Sequence, residues 1–130
     1  MDYILLNIMP ILAATAAGLL VGLGHLLLVR PGPRPGIWLA PLALVAEFWL
    51  AAILAGALIL APPLAAPWVI AVVTAIVIWI GFVAPALLVT LRFRGLPGQA
   101  AAADSLHWLL VMLMQAVVLQ AIGLTAPLKG

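Results

Sequence analysis

Glu47 is the residue whose type and position most invite chemistry. It lies ten residues past Ile37 within a long apolar run, about 15 Å along a helix and so near the middle of a bilayer core of about 30 Å. No Lys or Arg stands at a comparable depth. An ionisable side chain there is costly and marks function by default, here a proton- or cation-coupled site. The preferred reading is blander: with no cation at that depth burial disfavours the carboxylate, leaving a neutral carboxylic acid that hydrogen-bonds a backbone carbonyl or a neighbouring helix.

His25 and His107 form a second constellation. His25 precedes the end of the first apolar run by about five residues, and His107 follows the start of the last by about eight. If those runs are antiparallel helices, the imidazoles share a depth to within about 5 Å. Two opposed histidines at one level of a helical bundle suit a b-type haem. The preferred reading is plainer: two amphipathic side chains near the interface, bonded to headgroups, water or Asp104. Asp104 stands one turn before His107 and shares its face. It is expected to cap the start of the last helix or to pair with Arg92 or Arg94. Asn7 and Gln115 are expected at neighbouring depths, as interhelical hydrogen bonds worth about 0.6–2 kcal/mol each.

The absences narrow the chemistry further. With no cysteine there is no disulfide, thiolate metal site, iron–sulfur cluster or covalent c-type haem. Lys129 is the only lysine, and Asp2, Glu47 and Asp104 are the whole acidic inventory, too scattered for a carboxylate pair or a two-metal centre. No Gly-rich phosphate loop and no His-Glu-x-x-His occurs. No catalytic residue, metal site or cofactor is therefore expected, and the chain does not read as an enzyme. Its few cations flank apolar runs instead of clustering on a face, which excludes a nucleic-acid partner.

The elements that must position these groups follow from composition. Of 130 residues, 68% are hydrophobic and 6% charged, against about 45–50% and about 25% in soluble domains. A water-soluble globule and a disordered chain are both ruled out. Four runs, about 3–29, 37–61, 67–91 and 99–124, each reach the roughly 20 residues that span a bilayer. They are separated by Arg-Pro-Gly-Pro-Arg-Pro-Gly, Pro-Pro-Leu-Ala-Ala-Pro and Arg-Phe-Arg-Gly-Leu-Pro-Gly, which cannot continue a helix. The expected fold is all-α: one transmembrane four-helix bundle with up-down topology and short loops. The Met-Asp-Tyr start carries no cation, so the first run is expected to span and not to be a cleaved leader.

Arg30, Arg34, Arg92 and Arg94 fall at one end of such a bundle, and both termini at the other. The positive-inside rule then puts the arginines in the cytoplasm and the termini outside, in the periplasm of a bacterial inner membrane. Tyr3, Trp38, Trp68, Phe93 and Trp108 fall where interfacial aromatic belts would lie. Ala14, Gly18 and Gly22 recur every four residues in the first run, the spacing that lets membrane helices approach closely. Ala43, Glu47, Ala51 and Ala55 share one face of the second, so Glu47 is expected in a packed seam. Pro85 would clash with the carbonyl of Gly81, and a kink is expected there; both residues are expected to shape helix packing.

Trp79-Ile80-Gly81-Phe82-Val83-Ala84-Pro85, then Phe93-Arg94-Gly95-Leu96-Pro97, then Asp104-Ser105-Leu106-His107-Trp108 resemble the DUF1761 family, small membrane proteins with about four predicted spans. The likeness covers roughly residues 75–123. The chain departs from the family in having Gly24-His25-Leu26-Leu27 where a Trp-Tyr-Ser-Pro-like segment is usual, and His107 where relatives look tyrosine-like. The resemblance implies the four-span fold and supplies no reaction.

These observations lead to an expected accessory or structural subunit, whose partners are the lipid bilayer and other membrane-protein subunits or a second copy of itself. A small proton- or cation-coupled transporter using Glu47 is the alternative, and a haem- or quinone-binding module using His25 and His107 the third.

Overall fold

A computed structural model describes residues 2–29 and 36–128. Arg30 and Arg34, half of the arginine set behind the expected orientation, lie outside the described residues. The described chain is helical throughout, with no strand. In order it forms α1 (Asp2–Leu6), α2 (Ile8–Val29), α3 (Leu39–Leu60), α4 (Pro67–Ile78), a π-helical turn (Trp79–Val83), α5 (Ala84–Phe93) and α6 (Gly98–Ile122). Four stretches are long and apolar enough to cross a membrane: Ile8–Val29, Leu39–Leu60, Pro67–Phe93 and Gly98–Ile122. The fold is the expected all-α four-helix bundle of a multi-pass integral membrane protein.

Local chemistry sets the ends. Pro67 opens α4, where its missing N–H is no loss. Beyond α5, Gly95 takes a φ of 79°, the left-handed conformation that glycine adopts freely. The Leu96 N–H then reaches back to the Leu91 carbonyl at 3.0 Å and the Gly95 N–H to that of Arg92 at 3.0 Å, satisfying carbonyls the helix would leave open.

Two prolines break the ladder within spans. Pro10 has no N–H to return to the Leu6 carbonyl, and α1 ends at Leu6. Helical bonding resumes with the Ile11 N–H on the Asn7 carbonyl at 3.0 Å. The apolar run did not reveal this interruption. The distortion expected near Pro85 takes the form of the π turn, in which the Ala84 N–H bonds Trp79, five residues back instead of four. The extra residue lets the chain pass a proline that cannot donate. Gly81 and Pro85 are both exposed, and no atom lies within 4 Å of where a Gly81 Cβ would stand. They shape the span's backbone from its outer surface.

The helix α6 is the hub. It lies against α2, α3 and the α4–α5 span, while α3 also contacts α2 and α4. The core between them is rich in alanine, with Ala14, Ala51, Ala55, Ala71, Ala75 and Ala116 fully buried beside Ile11, Leu54, Met112 and Leu119. Among lipid tails, helices gain little from hiding apolar surface and associate through close van der Waals contact, which small side chains permit. The outward faces carry exposed Leu, Val, Ile and Phe.

Candidate functional site

A polar seam runs through this apolar bundle where α2, α3 and α6 meet. Glu47, on α3, is 4% exposed, and Gln115, on α6, is fully buried. The Gln115 Nε2 amide donates to the Glu47 Oε2 carboxylate oxygen at 3.2 Å and to its backbone carbonyl at 3.1 Å. Both bonds cross between helices, where satisfying a polar group stabilises by about 0.6–2 kcal/mol. The Gln115 Oε1 is buried with no hydrogen-bond partner among the described residues.

Glycines on α2 make room for this pair. A Cβ on Gly18 would overlap Glu47 Oε2 and stand 2.7 Å from Gln115 Nε2. One turn on, a Cβ on Gly22 would stand 3.2 Å from Cε1 of His107 and 3.4 Å from Glu47 Oε1. The four-residue stripe is therefore real, yet two of its members do not serve backbone approach alone. Ala14 joins the apolar core, whereas Gly18 and Gly22 admit polar side chains from two other helices.

The seam continues to the histidines. His25 Nδ1 and His107 Nδ1 are 3.1 Å apart, with ring centroids at 5.1 Å and planes inclined at 63°. The equal depth read from the sequence is thus joined by direct contact, and the preference for separate interfacial side chains is corrected. One ring must donate and the other accept. Each imidazole is thus held by the other through its Nδ1. Among the described residues no group of three His, Cys, Asp or Glu gathers to hold a metal ion.

No protein-family model, no curated protein and no solved structure matches the chain. The functional reading therefore rests on the geometry of the seam.

Two cavities flank that seam. The larger, about 410 Å³, opens between α2 and the start of α3, with Glu47 and His107 as its polar lining amid Leu19, Leu23, Leu26 and Ala43. The smaller, about 210 Å³, is bounded by His25, Asp104, His107 and Trp108 on one side and Leu87 and Leu91 on the other. Polar groups therefore follow one another from the middle of the spans, at Gln115 and Glu47, to His107, His25 and Asp104 toward the end where α5 leads into α6. A bundle interior with a few convergent polar groups among apolar walls is where small ligands and ions bind.

Three placements differ from expectation. Asp104 does not cap α6, which begins at Gly98 with Pro97 in the capping position and no side-chain cap bond. The Gly-Gln-Ala-Ala-Ala-Ala stretch ahead of it is helical, so Asp104 falls in the second turn and lines the smaller cavity. Gln115 bonds between helices, whereas Asn7 bonds at another level, between two non-helical stretches. Asn7 accepts from the Thr125 N–H at 2.7 Å and donates to the Thr125 carbonyl at 2.9 Å, tying the segment after α6 to the break before α2. Tyr3 turns its hydroxyl inward, donating to the Ala52 carbonyl at 3.1 Å over Gly56, whose Cβ would come within 3.0 Å of the phenol oxygen.

Sequence reasoning overlooked the anchoring by Tyr3 and by Trp79, whose indole donates to the Ser105 carbonyl at 2.8 Å. A phenol and an indole each carry a donor that finds a partner when drawn inward, and that is the signal available in their residue types. Of the arginines, Arg92 donates to the Leu96 carbonyl at 2.9 Å, bracing the loop it was expected to orient.

Proposed function

We propose that this chain is a small integral membrane transport protein in which Glu47 takes up and releases a proton or a cation. The observation that carries the reading is the setting of that carboxylate. It is nearly buried, Gln115 holds one of its oxygens, and it lines a cavity shared with His107. A purely structural acid needs no open space beside it, whereas a group that exchanges an ion does. Binding and release require no bond in a substrate to break, in keeping with the absence of catalytic residues expected from the sequence. The arginine-bearing end is assigned to the cytoplasm of a bacterial inner membrane and the termini to the periplasm, on the positive-inside rule.

The test is ion flux in proteoliposomes containing the purified chain. An imposed pH or cation gradient should dissipate faster than in protein-free vesicles, and Glu47→Gln should return the rate to that background. Flux that is absent, or unaltered by the substitution, overturns the reading.

A second reading, the accessory or self-associating subunit, is favoured by the Pro67–Phe93 span, which has an apolar 18-residue stretch only 11% buried within the bundle. Such a span has most of its circumference free for another subunit or a second copy. Native mass measurement in mild detergent separates the two, since a strictly monomeric species without a co-purifying partner removes the assembly role.

A further inference from the structure

We propose that the larger cavity is a binding site for a lipophilic monocation, an amine or onium group on an apolar body, with Glu47 as its counter-ion. This rests on the transport reading only for its choice of Glu47, and names the class of ligand that the site would take.

The walls select the body of the ligand. The volume of about 410 Å³ falls within the roughly 300–1,000 Å³ of small-molecule sites. Leu19, Leu23 and Leu26 of α2 face Ile37, Ala40 and Ala43 of the second span, and only Glu47 and His107 bring polar side chains. A strongly hydrated solute would lose its water here without replacement. The rim residues Leu23, Ile37 and Leu39 are exposed on the outer surface of the bundle, so a lipid-soluble molecule can arrive sideways from the hydrocarbon.

The carboxylate selects the head. Gln115 donates to Glu47 Oε2, and no hydrogen bond from the described residues reaches Oε1. No Lys or Arg lines the cavity among the described residues. A cation satisfies that acceptor, a neutral lipophile leaves it unpaired, and an anion is repelled by it. Gly22 keeps the approach clear, since even a Cβ there would stand 3.4 Å from Oε1. One carboxylate neutralises one positive charge, which sets the ligand as a monocation.

The experiment is equilibrium binding of tetraphenylphosphonium to the purified full chain in detergent, with tetraphenylborate as a probe of the same shape and opposite charge. Saturable binding near one per chain is expected, weakened at least tenfold by Glu47→Gln and restored by carboxylate in Glu47→Asp. Ala43→Phe, which fills the cavity from the α3 wall while keeping the carboxylate, should weaken it as far. Tetraphenylborate should show only partitioning. Equal uptake of both probes, or phosphonium binding that neither Glu47→Gln nor Ala43→Phe weakens, overturns the proposal. Glu47-dependent proton flux without phosphonium binding overturns the ligand class and leaves the transport reading standing. Saturable, Glu47-dependent binding without flux does the reverse.

Discussion

At the residue scale, the least conspicuous side chains control the most consequential ones. Gly18 has no chemistry of its own, yet Glu47 and Gln115 meet in the space that it leaves. Gly18→Ala forces that pair apart, because the added methyl coincides with the place of the carboxylate oxygen. The carboxylate oxygen and the amide nitrogen are the far ends of flexible side chains that can swing aside, so the expected loss is that of the Glu47–Gln115 hydrogen bonding, about 0.6–2 kcal/mol. Gly22→Ala meets His107 and Glu47 at 3.2–3.4 Å, where shifts of a few tenths of an ångström suffice, and should cost distinctly less. Thermal unfolding of the two variants in detergent compares them directly. A Gly22→Ala protein as unstable as Gly18→Ala would contradict the assignment of Gly18 as the tighter of the two positions.

At the element scale, the third span is governed by one residue exposed on its outer surface. Pro85 lacks an N–H, and the turn before it widens to a π turn closed by the Ala84 N–H on Trp79. That widening sets the register of Trp79, whose indole holds the Ser105 carbonyl on α6. Pro85→Ala should let the span relax to an ordinary helix. Losing the extra residue turns one half against the other by about 100°, so either the Trp79 anchor or the packing of α5 on α6 must give way. The Trp79 indole N–H, followed by hydrogen exchange, is expected to lose protection in this variant. Unchanged protection would show that interhelical packing, and not the proline, maintains the π turn.

At the scale of the whole molecule, alternation of the four spans puts residues 2 and 128 at one end of the bundle and the α5–α6 loop at the other. The chain contains no cysteine, so single-cysteine variants report their side of the membrane without background. Asp2→Cys and Ala126→Cys should react with an impermeant maleimide from the same side, and Arg94→Cys from the opposite side. Labelling of positions 2 and 126 from different faces would require an odd number of crossings and break the bundle as described. The Asn7–Thr125 clasp makes the same demand, since it joins the two termini of the bundle within hydrogen-bond reach.

The existence, length and number of the spans were legible from the chain alone, because transfer of an apolar helix into lipid is a sum over its own residues. So was the burial of Glu47, since Ala51 and Ala55 mark its face as a seam. The common depth of His25 and His107 followed from counting rise along two antiparallel helices. Their contact did not, and neither did the meeting of Glu47 with Gln115 or the use of Gly18 and Gly22 to admit them. Those depend on α6 lying against both α2 and α3, and short loops allow several such arrangements. Hydropathy is indifferent among them, since each buries the same residues from water. Side-chain shape and interhelical hydrogen bonds choose one, and they act only once the helices are side by side.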